Sequence, residues 1–163
     1  AVVAHFVFEQ RDIFVVNVHL TTLRRERESF PERDASGAKI RQSQVETCLH
    51  GIVSRLNEYR EDRARDQPAG LWFLAGDFNA TPDAPEISTV TRSFARLCNN
   101  DPTKRSKSGA EASIKVDYIF AGPKYYAVDL SILQQSDNDH QAYKILQNIK
   151  SSDHYPIVAR FPI

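Results

Sequence analysis

The stretch Leu71-Trp72-Phe73-Leu74-Ala75-Gly76-Asp77-Phe78-Asn79 decides the reading of this chain. Its first residues form a short apolar run of the kind that fills a buried strand. A carboxylate and a carboxamide follow, two residues apart. In an extended chain, positions i and i+2 face the same side. Asp77 and Asn79 are therefore expected to project together from the end of a rigid element. The pattern recurs where Ile13-Phe14-Val15-Val16 leads into Asn17 and His19. A further polar cluster, Ser152-Asp153-His154, stands before Tyr155-Pro156-Ile157-Val158. Polar clusters at several strand ends read as one assembled site.

Outward from this stretch, residues 2–8 and 13–20 read as a β-hairpin, with a polar turn at Glu9-Gln10-Arg11-Asp12. Residues 21–37 are charge-rich and end at Gly37, and read as a solvated loop. Residues 38–65 read as a helix. Ile40, Val45, Cys48, Leu49, Ile52, Val53, Leu56 and Tyr59 recur at helical spacing, and Gln67-Pro68-Ala69-Gly70 ends the segment. A strand over 71–75, a turn at Thr81-Pro82-Asp83-Ala84-Pro85 and a short helix near 86–90 follow. Residues 99–113 read as polar loop. Strands are expected at 115–120, 125–133 and 155–161, with a polar excursion over 134–150 that holds a helical turn around 142–149. One long helix on a set of strands gives a single domain over 1–163, of class α/β or α+β.

The 163 residues are enough for one domain with a real core. Hydrophobic content of 41% and charged content of 26% are those of an ordinary globular chain, and the reading favours a soluble, cytoplasmic protein. Zero formal net charge gives no whole-chain attraction to nucleic acid, although a local basic groove is compatible with it. No apolar run approaches the roughly 20 residues that span a bilayer. The chain opens inside a strand and contains no methionine, which reads as a fragment or a processed product. Cys48 and Cys98 lack metal-ligand spacing, and Cys48 reads as a small residue packed in the helix.

Without any family, the candidate residues are His19, Asp77, Asn79, Asp117, Asp153 and His154, with Asn17 nearby. Carboxylates are hard ligands for Mg²⁺ or Mn²⁺. Histidines supply acid and base near neutral pH. Asparagine donates to an anionic oxygen without adding charge. This set, with no cysteine or serine nucleophile among it, points to metal-assisted attack of water on a phosphate ester. Each member also has a plainer reading: Asp-x-Asn after a strand is commonly a turn, and Asp117 fits the solvent face of an edge strand. His5, His50 and His140 are read as structural.

Val16-Asn17-Val18-His19-Leu20, Gly76-Asp77-Phe78-Asn79, Val116-Asp117-Tyr118-Ile119-Phe120 and Ser152-Asp153-His154-Tyr155-Pro156-Ile157, in this order, resemble the endonuclease/exonuclease/phosphatase superfamily. Arg41-x-x-Gln44 in the intervening helix is similar to that family too. The resemblance covers essentially the whole chain. It implies a two-sheet α/β sandwich and Mg²⁺- or Mn²⁺-dependent hydrolysis of a phosphodiester or phosphomonoester, with nucleic acid among the substrates. By position, His19 would contact the scissile phosphate or act as general acid. Asp77 would position or activate the attacking water and share in metal binding, and Asn79 would hold a phosphate oxygen. Asp117 would orient His154, the general base or phosphate ligand, and Asp153 would help bind the metal.

The resemblance also implies a preceding βα segment whose glutamate is the principal metal ligand. No Glu here stands in that place: Glu9 lies in the hairpin turn, and Glu26, Glu28 and Glu32 lie in the charged loop. Weak metal binding by this chain alone is therefore expected. Apolar faces near the first hairpin should be uncovered, with self-association or an incomplete second sheet as the result. The competing reading is a non-catalytic relative acting as a binding or scaffolding module, or an inactive fragment of the enzyme. Substrate choice on such a fold lies in loops, here residues 21–37, 99–113 and 134–150, whose sequences carry no readable code.

Overall fold

Two left-handed residues start the architecture. In this computed structural model, which describes residues 1–21, 31–61, 70–98, 101–105, 112–122, 143–145, 153–155 and 157–159, strand β1 (Val2–Phe8) pairs antiparallel with β2 (Arg11–His19). Only Glu9 and Gln10 separate them, at φ 47° and 63°. Successive positive φ values give the tight turn whose twist suits a hairpin. The turn is thus shorter than the sequence suggested, and Arg11 and Asp12 belong to β2. Along β2 the buried Phe14, Val16 and Val18 alternate with Val15, Asn17 and His19, which are more open. β1 lies at the sheet edge, with Val2, Val3, Phe6, Val7 and Phe8 all exposed.

Helix α1 (Pro31–Glu61) begins earlier than expected, because residues 31–37 are its opening turns and not loop. Proline suits the first helical position, where its missing N–H has no partner to lose. The described end of the charge run is thus helix. Its inner stripe is Arg41, Val45, Ile52 and Leu56, with Cys48, Leu49 and Tyr59 packed partly against the core. Ile40 and Val53, expected on that face, are exposed at 44% and 38%. Arg41 takes the inner place because a buried carboxylate meets it there.

That carboxylate is Glu86 of α2 (Pro85–Ser93), a helix longer than the expected 86–90. Arg41 Nε donates to Glu86 Oε1 at 2.8 Å, and both side chains are almost wholly buried. Gln42 Nε2 adds a bond to Thr89 Oγ1 at 3.1 Å. The two helices are thereby joined by a charged pair inside the protein.

Between them runs β3 (Leu71–Asp77), parallel to β2 by a crossover through α1. It extends through Gly76 and Asp77, beyond the expected end at Ala75. Gly76 sits at φ 134°, and a Cβ there would lie 2.0 Å from Val18 O. No other residue fits that approach. β4 (Ala95–Arg96) and β7 (Asp117–Gly122) complete a mixed five-stranded sheet of order β1-β2-β3-β7-β4. β5 (Lys104–Arg105) and β6 (Ala112–Ile114) pair with each other where polar loop was expected. β8 (Tyr143–Ile145) is a strand where a helical turn was expected, and it pairs with β9 (Ile157–Ala159). The expected strand at 125–133 lies outside the described residues. The class is mixed α+β, as read. The core stacks Phe14 on Trp72 at 4.2 Å and sets Phe78 edge-on to Tyr118 and Phe120. Both cysteines are free thiols. Among the described residues no helix is long and apolar enough to cross a membrane.

Breaking the Arg41–Glu86 pair from one side should cost far more than replacing it. Removing one partner of a buried ion pair typically costs about 3–5 kcal/mol, because the other charge is left uncompensated. Arg41→Met alone is therefore expected to lower unfolding stability by about that amount. Arg41→Met combined with Glu86→Leu should recover most of it. Urea unfolding of the two variants checks this, and equal losses would contradict it.

Candidate active site at the strand ends

The register of three neighbouring strands sets the site. His19 at the end of β2 pairs with Asp77 at the end of β3, and Asp77 pairs with Asp117 at the start of β7. Residues directly opposite one another across a sheet share a face. An imidazole and two carboxylates are therefore aligned along one sheet edge. Main-chain bonds from Leu20 N to Asp77 O and from Phe78 N to Val116 O, both 2.9 Å, continue the pairing just past the strand ends.

His154 enters from a distant part of the chain through an antiparallel bridge with Lys104. Its Nδ1 lies 3.1 and 3.0 Å from the two carboxylate oxygens of Asp117. A carboxylate only accepts, so Nδ1 carries the proton and Nε2 is directed elsewhere. Nε2 lies 3.8 Å from Asp77 Oδ2, and His19 Nε2 lies 3.7 Å from the same oxygen. Asp77 Oδ2 thus sits between two imidazoles. The His19 side chain is 76% exposed and that of His154 is 24% exposed, so one faces solvent and the other is held in the wall.

Burial pushes the Asp77 carboxyl above its ordinary range, and the Asp117 charge opposite pushes the same way. The Asn79 N–H, His154 and Lys104 pull against them. Like charges paired across a sheet destabilise it unless something relieves them. Ligand atoms of Asp77, Asp117 and His154 all lie within 4.8 Å of one another. Two hard carboxylate donors and an imidazole at that spacing fit a divalent cation, which would also relieve the carboxylate repulsion.

The remaining candidates stand differently. Asn79 adopts φ 47°, so the extended-chain argument that paired it with Asp77 does not hold beyond β3. Its N–H donates to Asp77 Oδ1 at 2.7 Å, a local turn that aspartate favours. Its side-chain Nδ2 donates to Leu20 O at 2.9 Å, and the residue is 1% exposed. In this structure Asn79 braces the strand ends from inside. Asp153 is exposed and is not one of the clustered metal donors. Asn17 is exposed on β2, and Ser152 and His140 lie outside the described residues. His5 bonds Asp12 at 2.6 Å and stacks on Phe14. Thr103 and Lys104 went unnoticed in the sequence. They sit in a polar stretch without periodicity, and only the bridge to His154 reveals their place.

No protein-family model and no curated protein sequence matches this chain. Solved structures do. A beta toxin from Staphylococcus aureus, a double mutant with bound magnesium ions, aligns at 15% identity and TM-score 0.56 over 94% of this chain and 54% of its own. Truncated TDP2 from Caenorhabditis elegans aligns at 17% identity and TM-score 0.55 over 95% and 56%. An endonuclease/exonuclease/phosphatase family protein from Leptotrichia buccalis aligns at 18% identity and TM-score 0.50 over 98% and 52%. The likeness is one of fold. This chain spans about half the length of each of these proteins.

The Asp77 shift has a sign that can be tested in metal-free protein. A carboxyl whose pKa is raised on folding binds its proton more tightly folded than unfolded. Its contribution to stability is present in full below the unfolded value and is lost as pH rises through the folded one. Asp77→Asn removes the charge and keeps an oxygen for the Asn79 N–H. It should melt above the wild type at pH 7, and the gap should close as pH falls toward about 3, below the ordinary aspartate pKa. Thermal melts of both proteins across this range decide it, and a pH-independent gap would contradict it.

Proposed function

We propose that this chain, which has the fold of the endonuclease/exonuclease/phosphatase proteins, is part of a divalent-metal-dependent phosphoesterase that hydrolyses a phosphate ester by attack of water. The observation that carries this reading is the line Asp117–His154–Asp77, with a carboxylate fixing one imidazole nitrogen and the other nitrogen facing a second carboxylate. Residues 1–163 are taken as one domain, the C-terminal portion of the larger fold; the half-length span of the solved relatives supports its being a portion.

In this mechanism Asp117 holds the Nδ1–H of His154, so that Nε2 meets a phosphoryl oxygen or takes a proton. Asp77, desolvated and between two imidazoles, orients the attacking water and accepts its proton. His19, the most open member, contacts the scissile phosphate and protonates the departing oxygen. Asn79, one N–H of whose amide is held by Leu20 O, would offer the other to a phosphate oxygen. Asp77, the carboxylate that lies near both imidazoles, would hold the cation, with Asp153 adding a carboxylate from the rim. Mg²⁺ or Mn²⁺, when bound, would neutralise phosphoryl charge and acidify water. The magnesium in the beta toxin relative supports this choice of cofactor. The substrate is a phosphodiester or phosphomonoester, with nucleic acid in that class. Self-association through β1 is a separate reading carried by its exposed Val2, Val3, Phe6, Val7 and Phe8. Sedimentation over a concentration series tests it.

Turnover of a chromogenic phosphodiester, a phosphomonoester and single-stranded DNA, with Mg²⁺ or Mn²⁺ added, tests the main proposal in the full-length protein. His154→Ala, Asp77→Asn and His19→Ala should each lower kcat by about 10²–10⁴-fold, the usual contribution of a general acid or base. Circular dichroism should stay that of the wild type, and a chelator should abolish activity. Equal turnover by wild type and His154→Ala would overturn the assignment.

A further inference from the structure

Thr103 lies in the short described segment 101–105, ahead of β5, and is fully buried at 0% exposure. Its Oγ1 accepts the N–H of Val116 at 3.2 Å and that of Asp117 at 3.1 Å. Its own N–H donates to Ile114 O at 2.9 Å. Its carbonyl accepts the N–H of Tyr155 at 2.7 Å. The next residue, Lys104, forms the bridge to His154. One residue is therefore bonded on one side to the start of β7, where Asp117 stands, and on the other to the segment that carries His154. Those two residues are 37 positions apart in sequence.

We propose that Thr103 is the positioning residue that holds Asp117 and His154 in hydrogen-bond register, an inference that rests on the phosphoesterase reading of that pair. The chemistry requires an oxygen at this point. A hydroxyl offers two acceptor lone pairs, and here both meet backbone N–H groups. Val116 is itself fully buried, so its N–H has no ready exchange for water. Through the Asp117 N–H, Oγ1 fixes the main chain from which the carboxylate springs. Through its carbonyl, Thr103 fixes the main chain next to His154. The 3.0 Å contact between the two side chains depends on both attachments. A catalytic group displaced by about 1 Å can lose about 10²-fold in rate.

The test compares Thr103→Val, which keeps shape and removes the acceptor, with Thr103→Ser, which keeps the acceptor. The first readout is NMR without substrate. The wild type should show a downfield imidazole proton from the Nδ1–H of His154, identified by its loss in His154→Ala. Thr103→Val should lose or shift that resonance and speed amide exchange at Val116 and Asp117, whereas Thr103→Ser should retain both. The second readout is kinetic, in the full-length protein. Thr103→Val should lower kcat by about 10²-fold with KM little changed, and Thr103→Ser should restore most of it. In a His154→Ala background, Thr103→Val should cause no further loss, whereas a merely loosened fold would lose the same factor again. If valine prevents folding, Thr103→Cys, with its weaker acceptor, should show the same ordering in milder form. A wild-type imidazole signal and wild-type kcat in Thr103→Val would overturn the role of Thr103 and leave the phosphoesterase reading standing. Absence of both signal and turnover in the wild type would overturn that reading, and this inference with it.

Discussion

The lateral register of β2, β3 and β7 is the constraint on which the rest depends. His19, Asp77 and Asp117 form one row because their strands are paired in that alignment and no other. A slip by one residue would turn each side chain to the opposite face and bury charge in the core. Gly76 locks the alignment. Its backbone approaches Val18 so closely that a side chain would collide with the carbonyl. The polar row is therefore a product of sheet geometry, fixed before any ligand arrives.

Around this row the helices work as braces. Gln44 of α1 accepts the N–H of Thr21 at 3.0 Å, and Asn79 holds Leu20 O from the other side. The end of β2 is thus gripped just past His19. α2 is tied in turn to α1 by the buried charges of Arg41 and Glu86. Such pairs contribute little net stability, but each leaves a heavy penalty for any arrangement that separates it. Tyr118 adds a comparable bond from within the sheet, its hydroxyl donating to Ala80 O at 2.9 Å, and burial pushes its pKa well above the usual phenol range. Polar groups inside this core specify geometry where apolar ones supply the drive to fold.

Much of this was legible in the sequence where a single local rule governed the outcome. Asp77 and His19 could be placed because each stands at the end of an apolar run, and strand ends point outward, whereas Asp117, read within a strand over 115–120, was marked out by its motif and proves to start β7. The long helix was legible from its period, but its exact face was not. Hydrophobicity put Ile40 inward, whereas a charged partner on another helix drew Arg41 inward instead. The charged residues 31–37 looked like loop because composition reports exposure and not conformation. Asn79 escaped the strand rule because aspartate two residues before it captured its N–H. β5, β6 and the part played by Thr103 had no local signature, since their meaning comes from residues far away in the chain.

The parallel pairing of β2 with β3 has a consequence in time. The β1–β2 hairpin closes over two turn residues, a local event of about 1–10 μs. β2 and β3 must instead wait for the chain through α1 to fold back, and His154 must then find a row already built. Contacts of such long sequence separation are slow to form and are the ones that limit folding rates. Along the chain the hairpin precedes Asp77, and Asp77 precedes His154. A partly folded chain can therefore carry a formed hairpin and helix while the Asp117–His154 pair is still unmade. Appearance of the Asp117–His154 pair would mark the close of folding.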